Sequence, residues 1–201
     1  MADKAMTSPA AGAGLMELFP APGEWTEADY YPLSEQGRLI ELSDGTIEVI
    51  ELPTDFHQLI LLRLTIALLA VISAGRLGQV RFAPLPVRLW AGKIREPDLM
   101  FMSAEHADRI GTYWGVPDLA VEILSTGTAQ KDRDIKSVEY ARAGVAEYWI
   151  VDPEAKTVET MRLGDTTGAY GTPRVLAVGE DLTSPMFPGF SLARAALFAE
   201  V

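Results

Sequence analysis

Apolar positions recur along this chain with different periods, and each period marks a different kind of element. The stretch VPDLAVEILSTGTAQKDRDIKSVEYARAGVAEYWIVDP, from Val116 to Pro153, predicts a buried strand (Leu119 to Leu124) and a polar turn. An amphipathic helix (about Ala129 to Ala143) and a second buried strand (Glu147 to Val151) follow. The other elements are arranged around this unit. Arg38 to Leu52 alternates about Asp44-Gly45, a dipeptide that favours a type I′ turn, and predicts a hairpin. Leu59 to Ile72 is apolar on nearly all faces; Thr54 caps a helix from Asp55 to about Ser73, and Gly75 ends it. Such a helix needs cover on two sides, from the sheet and from another element or a second subunit, which points to a homodimer.

Weaker patterns fill the remainder. Thr26, Glu27 and Asp29 open a short helix that Gly37 stops. Strands are expected at Gln79 to Arg81, Val87 to Trp90 and Asp98 to Met102, with Pro84 and Pro86 marking an edge or bulge. TVETMRL reads as an exposed antiparallel strand, Gly164 to Gly171 as a loop and RVLAV as another strand; a short helix, Ala193 to Ala199, closes the chain. Residues 1 to about 23, rich in Ala, Gly and Pro, read as a flexible tail, and 24 to 201 as a single domain.

Composition narrows the class. A hydrophobic share of 48% with 22% charged residues excludes global disorder. The absence of cysteine removes disulfides, thiolate metal sites and cysteine nucleophiles, and two histidines, His57 and His106, argue against zinc. The longest apolar run carries Arg63 and Thr65 and is shorter than the ~20 residues a bilayer span needs. Without a continuous apolar signal region the expected location is the cytoplasm, with no membrane partner. The net charge of -11 opposes nonspecific affinity for DNA. Arg76 to Arg95, by contrast, holds four arginines and Lys93 with no acidic residue, and leads into Asp98. That block is either an approach for phosphate or a set of solvated strand-edge arginines.

The candidate chemistry lies in three residues. Glu122 sits between Val121 and Ile123 inside a buried strand, where a carboxylate needs a paired charge or a bound cation. Lys136 on the following helix and Asp98 at the start of another apolar run supply such partners. Two carboxylates on neighbouring strands with a lysine nearby suit a Mg²⁺ or Mn²⁺ site for phosphodiester hydrolysis, and the carbonyl of Ile123 is a further candidate ligand. Helical spacing puts Arg133, Lys136 and Tyr140 on one face. Asp132 and Asp134 fall in the first turn, where the helix dipole favours anions without any catalytic role. Ser125, Thr126 and Thr128 either contact phosphate or cap the helix. The same residues also allow a second reading, in which Glu122 and Lys136 are a buried structural pair.

The succession RLIELSDGTIEVI, DFHQLI, EPDLMFMS, VPDLAVEILSTGT and KDRDIKSVEYARAGVAEYWIVDP, over roughly Tyr30 to Phe198, closely resembles the Uma-two family of "putative restriction endonucleases". The resemblance implies a PD-(D/E)xK nuclease fold: mixed α and β, a mixed sheet flanked by helices, with an added N-terminal hairpin. It implies Asp98 and Glu122 as the metal-binding carboxylates, Glu41 and His57 as recurring positions near the site, and DNA as substrate. Leu124 stands where the signature lysine would be; Lys136 matches the lysine this family carries on the next helix. The alternative is a noncatalytic binding or oligomerisation protein on the same scaffold.

Overall fold

The computed structural model describes residues 19–125, 127, 129–164 and 168–199. The expected flexible tail lies mostly outside them, as do Thr126 and Thr128. Helix α1 (Glu27–Glu35) opens with a capping box between Thr26 and Asp29. The hairpin follows as β1 (Ile40–Ser43) and β2 (Thr46–Val49), and Asp44 (φ 48) and Gly45 (φ 77) both take the left-handed conformation of a type I′ turn.

Helix α2 (Asp55–Gly75) starts where Thr54 accepts a hydrogen bond from the His57 amide, and ends in a left-handed Arg76. At 21 residues it is long and apolar enough, by length and composition alone, to cross a membrane, so the length argument from the apolar run does not hold. One face, with Ile60, Leu64, Leu68 and Ile72, packs into the core; Leu62, Ile66 and Leu69 on the other are exposed.

Beyond it come β3 (Gly78–Phe82), β4 (Val87–Trp90), β5 (Lys93–Arg95) and β6 (Leu99–Ser103). Strand β5 was not expected: three residues are too few to show a period. Then follow β7 (Leu119–Ile123), a helix in three parts and β8 (Glu147–Asp152). The helix comprises α3 (Ala129–Lys131), a π-helical turn (Asp132–Lys136) and α4 (Ser137–Ala143). The chain ends with β9 (Thr157–Arg162), β10 (Arg174–Val175), β11 (Asp181–Leu182), β12 (Leu192–Ala193) and α5 (Arg194–Leu197).

The main sheet has six strands in the order β10-β9-β8-β7-β6-β3, and the hairpin joins a second sheet, β2-β1-β5-β4. Only β7 and β8 run parallel in the main sheet, as the intervening helix requires. Pro84 and Pro86 follow β3, which is an edge strand as anticipated. Alternation sorts the main sheet into two faces: Leu99, Phe101, Val121 and Trp149 meet α2, while Met100, Ala120, Tyr148 and Ile150 meet Tyr140 of α4. Glu122 shares the parity of Ala120 and therefore turns toward α4. The pairing of Leu99 with Val121 and Met100 with Ala120 brings Asp98 to the level of Glu122.

Candidate active site

The two carboxylates meet at a cavity of about 510 Å³ between the hairpin, the start of α2, the ends of β6 and β7 and the π-helical turn. Asp98, just ahead of β6, accepts a hydrogen bond from the Ile123 amide at Oδ2 (2.7 Å), and its Oδ1 lies 3.2 Å from His57 Nε2. Ile123 thus meets Asp98 through its N–H rather than its carbonyl. Glu122, buried, receives both of its hydrogen bonds on Oε1, from Lys136 Nζ and from the Tyr140 hydroxyl, each at 2.8 Å. Neither bond uses Oε2. Tyr140 stands behind Glu122, outside the cavity lining.

Lys136 serves three carboxylates at once, with Glu41 Oε1 and Asp132 Oδ1 each 3.2 Å from its ammonium. One cation among so many anions decides the protonation states. Burial, with Asp132, Asp98 and Glu41 close by, outweighs the pull of Lys136 and pushes Glu122 up to about 8. Burial opposes the charge on Lys136 too, but Glu122, Glu41 and Asp132 outweigh it and raise its pKa well above the ordinary lysine value. Burial also works against ionised Glu41, yet Lys136, Arg95 and Lys131 overcome it and hold Glu41 well below the usual carboxylate range. Glu41 therefore keeps its charge, with Arg95 at 2.8 Å and Lys131 at 2.9 Å on Oε2.

Two expectations for this helix fail. Asp132 is not a solvated dipole partner but is buried and faces Lys136; Arg133 leaves the face of Lys136 and Tyr140 to pair with Asp152 (3.0 Å) and Glu159 (2.9 Å). The π-helical turn spanning Arg133 changes the angle per residue, so a projection at α-helical pitch misplaces Arg133. The i, i+4 spacing of Asp132 and Lys136 was the available signal.

The basic block does not form an approach to Asp98. Arg95 and Lys93 are buried, paired with Glu139 at 2.6 to 2.8 Å, and Arg88 pairs with Glu27 near the surface. None of the basic residues from Arg76 to Arg95 lines the cavity. Ser125 does, and its hydroxyl donates to Glu51. Glu96, unnoticed in the sequence, lines it as well. Burial, with Glu41 nearby, pushes its carboxyl up to about 7.

The donor set fits a hard divalent cation. Glu122 Oε2 is outside its hydrogen bonds, and a buried oxygen of Glu96, which also lines the cavity, lacks a hydrogen-bond partner. Among the described residues no three carboxylates or histidines converge as a preformed cage. That suits Mg²⁺, which keeps several waters and takes one or two carboxylates.

The family model Uma2, described as "Putative restriction endonuclease", matches residues 27–195. Among solved structures the chain is similar to the crystal structure of "a putative nuclease belonging to DUF820" from Anabaena variabilis. The TM-score is 0.72 at 19% identity, over 86% of this chain and 97% of that one, a likeness of fold. No curated protein matches.

Proposed function

This chain belongs to the Uma2 family, and from that premise we propose that it is a Mg²⁺- or Mn²⁺-dependent endonuclease hydrolysing DNA phosphodiester bonds. The observation that carries this reading is Glu122 beside Asp98 at the cavity, its Oε1 held by Lys136 and Tyr140 and its Oε2 outside both bonds. Asp98 and Glu122 would hold the cation. Bound there, it would polarise a phosphoryl oxygen and lower the pKa of an attacking water.

The chain's own residues supply the remainder. Lys136 keeps its proton, so it serves as a fixed positive charge and hydrogen-bond donor for the developing phosphorane rather than as a base. Tyr140 aims Glu122, and His57 restrains Asp98. Glu41, matched by three cations, holds Lys136 in place. The same proposal takes the working form as a cytoplasmic homodimer, with the exposed α2 stripe available as the shared face.

One observation favours the rival, a noncatalytic binding module. The cavity lining carries Glu41, Glu51, Glu96, Asp98, Glu122, Asp132, Asp152 and Glu154 against His57 and Lys136. A polyanion is repelled from such a wall unless cations are bound first. Calorimetric titration of Mn²⁺ into the parent and into a folded Asp98→Ala, Glu122→Ala double variant separates the two, followed by nicking of plasmid DNA. The nuclease reading expects binding and cleavage that both vanish in the double variant, and cleavage slowed in Lys136→Ala with binding largely kept. A parent that neither binds Mn²⁺ in the presence of duplex DNA nor cuts it leaves the noncatalytic module.

A further inference from the structure

Helix α2 buries one face and leaves the other uncovered. On the open face Leu62, Ile66 and Leu69 are 55%, 60% and 42% exposed. Their spacings of four and three residues make one narrow stripe, the kind of seam through which helices pair. Asp55 and Ser73, both exposed, continue it toward the two helix ends. On one flank half-buried Arg63 donates to the carbonyl oxygens of Leu197 and Ala199 and fastens the C-terminal segment beside α2. That segment leaves the stripe itself open.

The stripe is complementary to its own reverse. Positions equidistant from a point between Thr65 and Ile66 are Leu62 and Leu69, Gln58 and Ser73, and Asp55 and Arg76. Apolar thus answers apolar, polar answers polar and acid answers base. Asp55 and Arg76 are both exposed, and neither forms an ion pair among the described residues. Two antiparallel copies related by a twofold axis through that point match in every layer, and their helix dipoles oppose. A parallel pair would set Asp55 against Asp55 and Arg76 against Arg76.

We propose that two copies of this chain pair antiparallel along α2, with Leu62 of each against Leu69 of the other and Asp55 against Arg76. This rests on the reading of the working form as a homodimer and names its face and register. The pairing also reaches the cavity. Thr54, His57 and Gln58 line it, so Arg76 of the partner subunit arrives beside the end of α2 that borders the acidic wall. A positive charge there offsets part of the repulsion that wall exerts on a polyanion.

The test is the mass of the full chain by size exclusion with light scattering, with folding checked by circular dichroism. The parent should be a dimer and Ile66→Glu a monomer. Asp55→Arg should weaken dimerisation about tenfold, since each pair occurs twice, and adding Arg76→Asp should restore it. The chain has no cysteine, so oxidative crosslinking reads the register directly. Leu62→Cys combined with Leu69→Cys should give a disulfide-linked dimer, and neither substitution alone should; these variants decide if Ile66→Glu fails to fold. A dimer that persists in folded Ile66→Glu overturns the face and leaves the homodimer standing. Crosslinking by each single cysteine variant overturns the antiparallel register. A monomeric parent overturns both readings, and its flotation with phosphatidylcholine vesicles would assign the stripe to lipid instead.

Discussion

Two charge clusters, each with a buried centre, meet at Glu41, and their compositions set them apart. On the hairpin side Lys93, Arg95 and Lys131 are spread among Glu41, Glu48, Glu139 and Asp44, with every pair at 2.6 to 2.9 Å. Arg95 alone reaches three carboxylates. On the cavity side Lys136 stands with Glu122 and Asp132 in contact and Asp98 and Glu96 on the same wall. The first cluster nearly neutralises itself and joins β1, β2 and β5 to α4. The second carries an excess of negative charge beside open volume. Buried ion pairs as such say little about function; an uncompensated set facing a cavity does, because only a ligand can complete it.

Removing a member of the closed cluster should have the largest effect on stability. Arg95→Ala leaves Glu41 and Glu139 buried without their guanidinium, and denaturant unfolding should report a loss of about 3–5 kcal/mol. A loss below about 1 kcal/mol would erase the distinction between the two clusters.

The open cluster should reveal itself through pH. Folded Glu122 titrates at about 8 against an ordinary 4.5, so without metal the folded protein holds a proton that the unfolded chain has released. Stability should therefore fall as pH rises from 4.5 to 8, with a slope of up to about 1.4 kcal/mol per pH unit from this group. Glu41 works in the opposite sense: its contribution is complete above its ordinary pKa and is lost as the medium turns acid. Urea titrations across pH in chelator should show the decline, Glu122→Gln should flatten it, and saturating Mn²⁺ should offset it. A profile unaffected by Glu122→Gln contradicts the assignment.

A smaller change sharpens the contrast within the open cluster. Tyr140→Phe removes one hydrogen bond from Glu122 but leaves Lys136 in place, and should cost about 1 kcal/mol while weakening Mn²⁺ binding, both measurable on one sample. The exposed pair Arg88 and Glu27 provides the floor: Arg88→Ala should change stability by about 0.5 kcal/mol and leave Mn²⁺ affinity alone.

Much of the fold was legible because its signals are local. The Asp44-Gly45 turn, the alternation of the strands around Glu122 and the capped apolar helix after Thr54 each need only neighbouring residues to specify them. Strand β5 and the short pairs near the C-terminus were not legible, since two or three residues carry no period and depend on partners far along the chain.

The same boundary runs through the site. By itself the sequence determined that Glu122 is buried in a strand, that Asp98 opens its neighbour and that Lys136 follows on a helix. The tertiary structure alone decided which charges meet. It buried Asp132 against Lys136, turned Arg133 outward through a π-helical turn, consumed Arg95 and Lys93 inside the fold and left one buried oxygen of Glu96 without a hydrogen-bond partner. The physical reason is that strand and turn preferences act between neighbours in sequence. The ionisation and pairing of a buried side chain depend on distance and solvent exclusion, which only packing between separate elements sets.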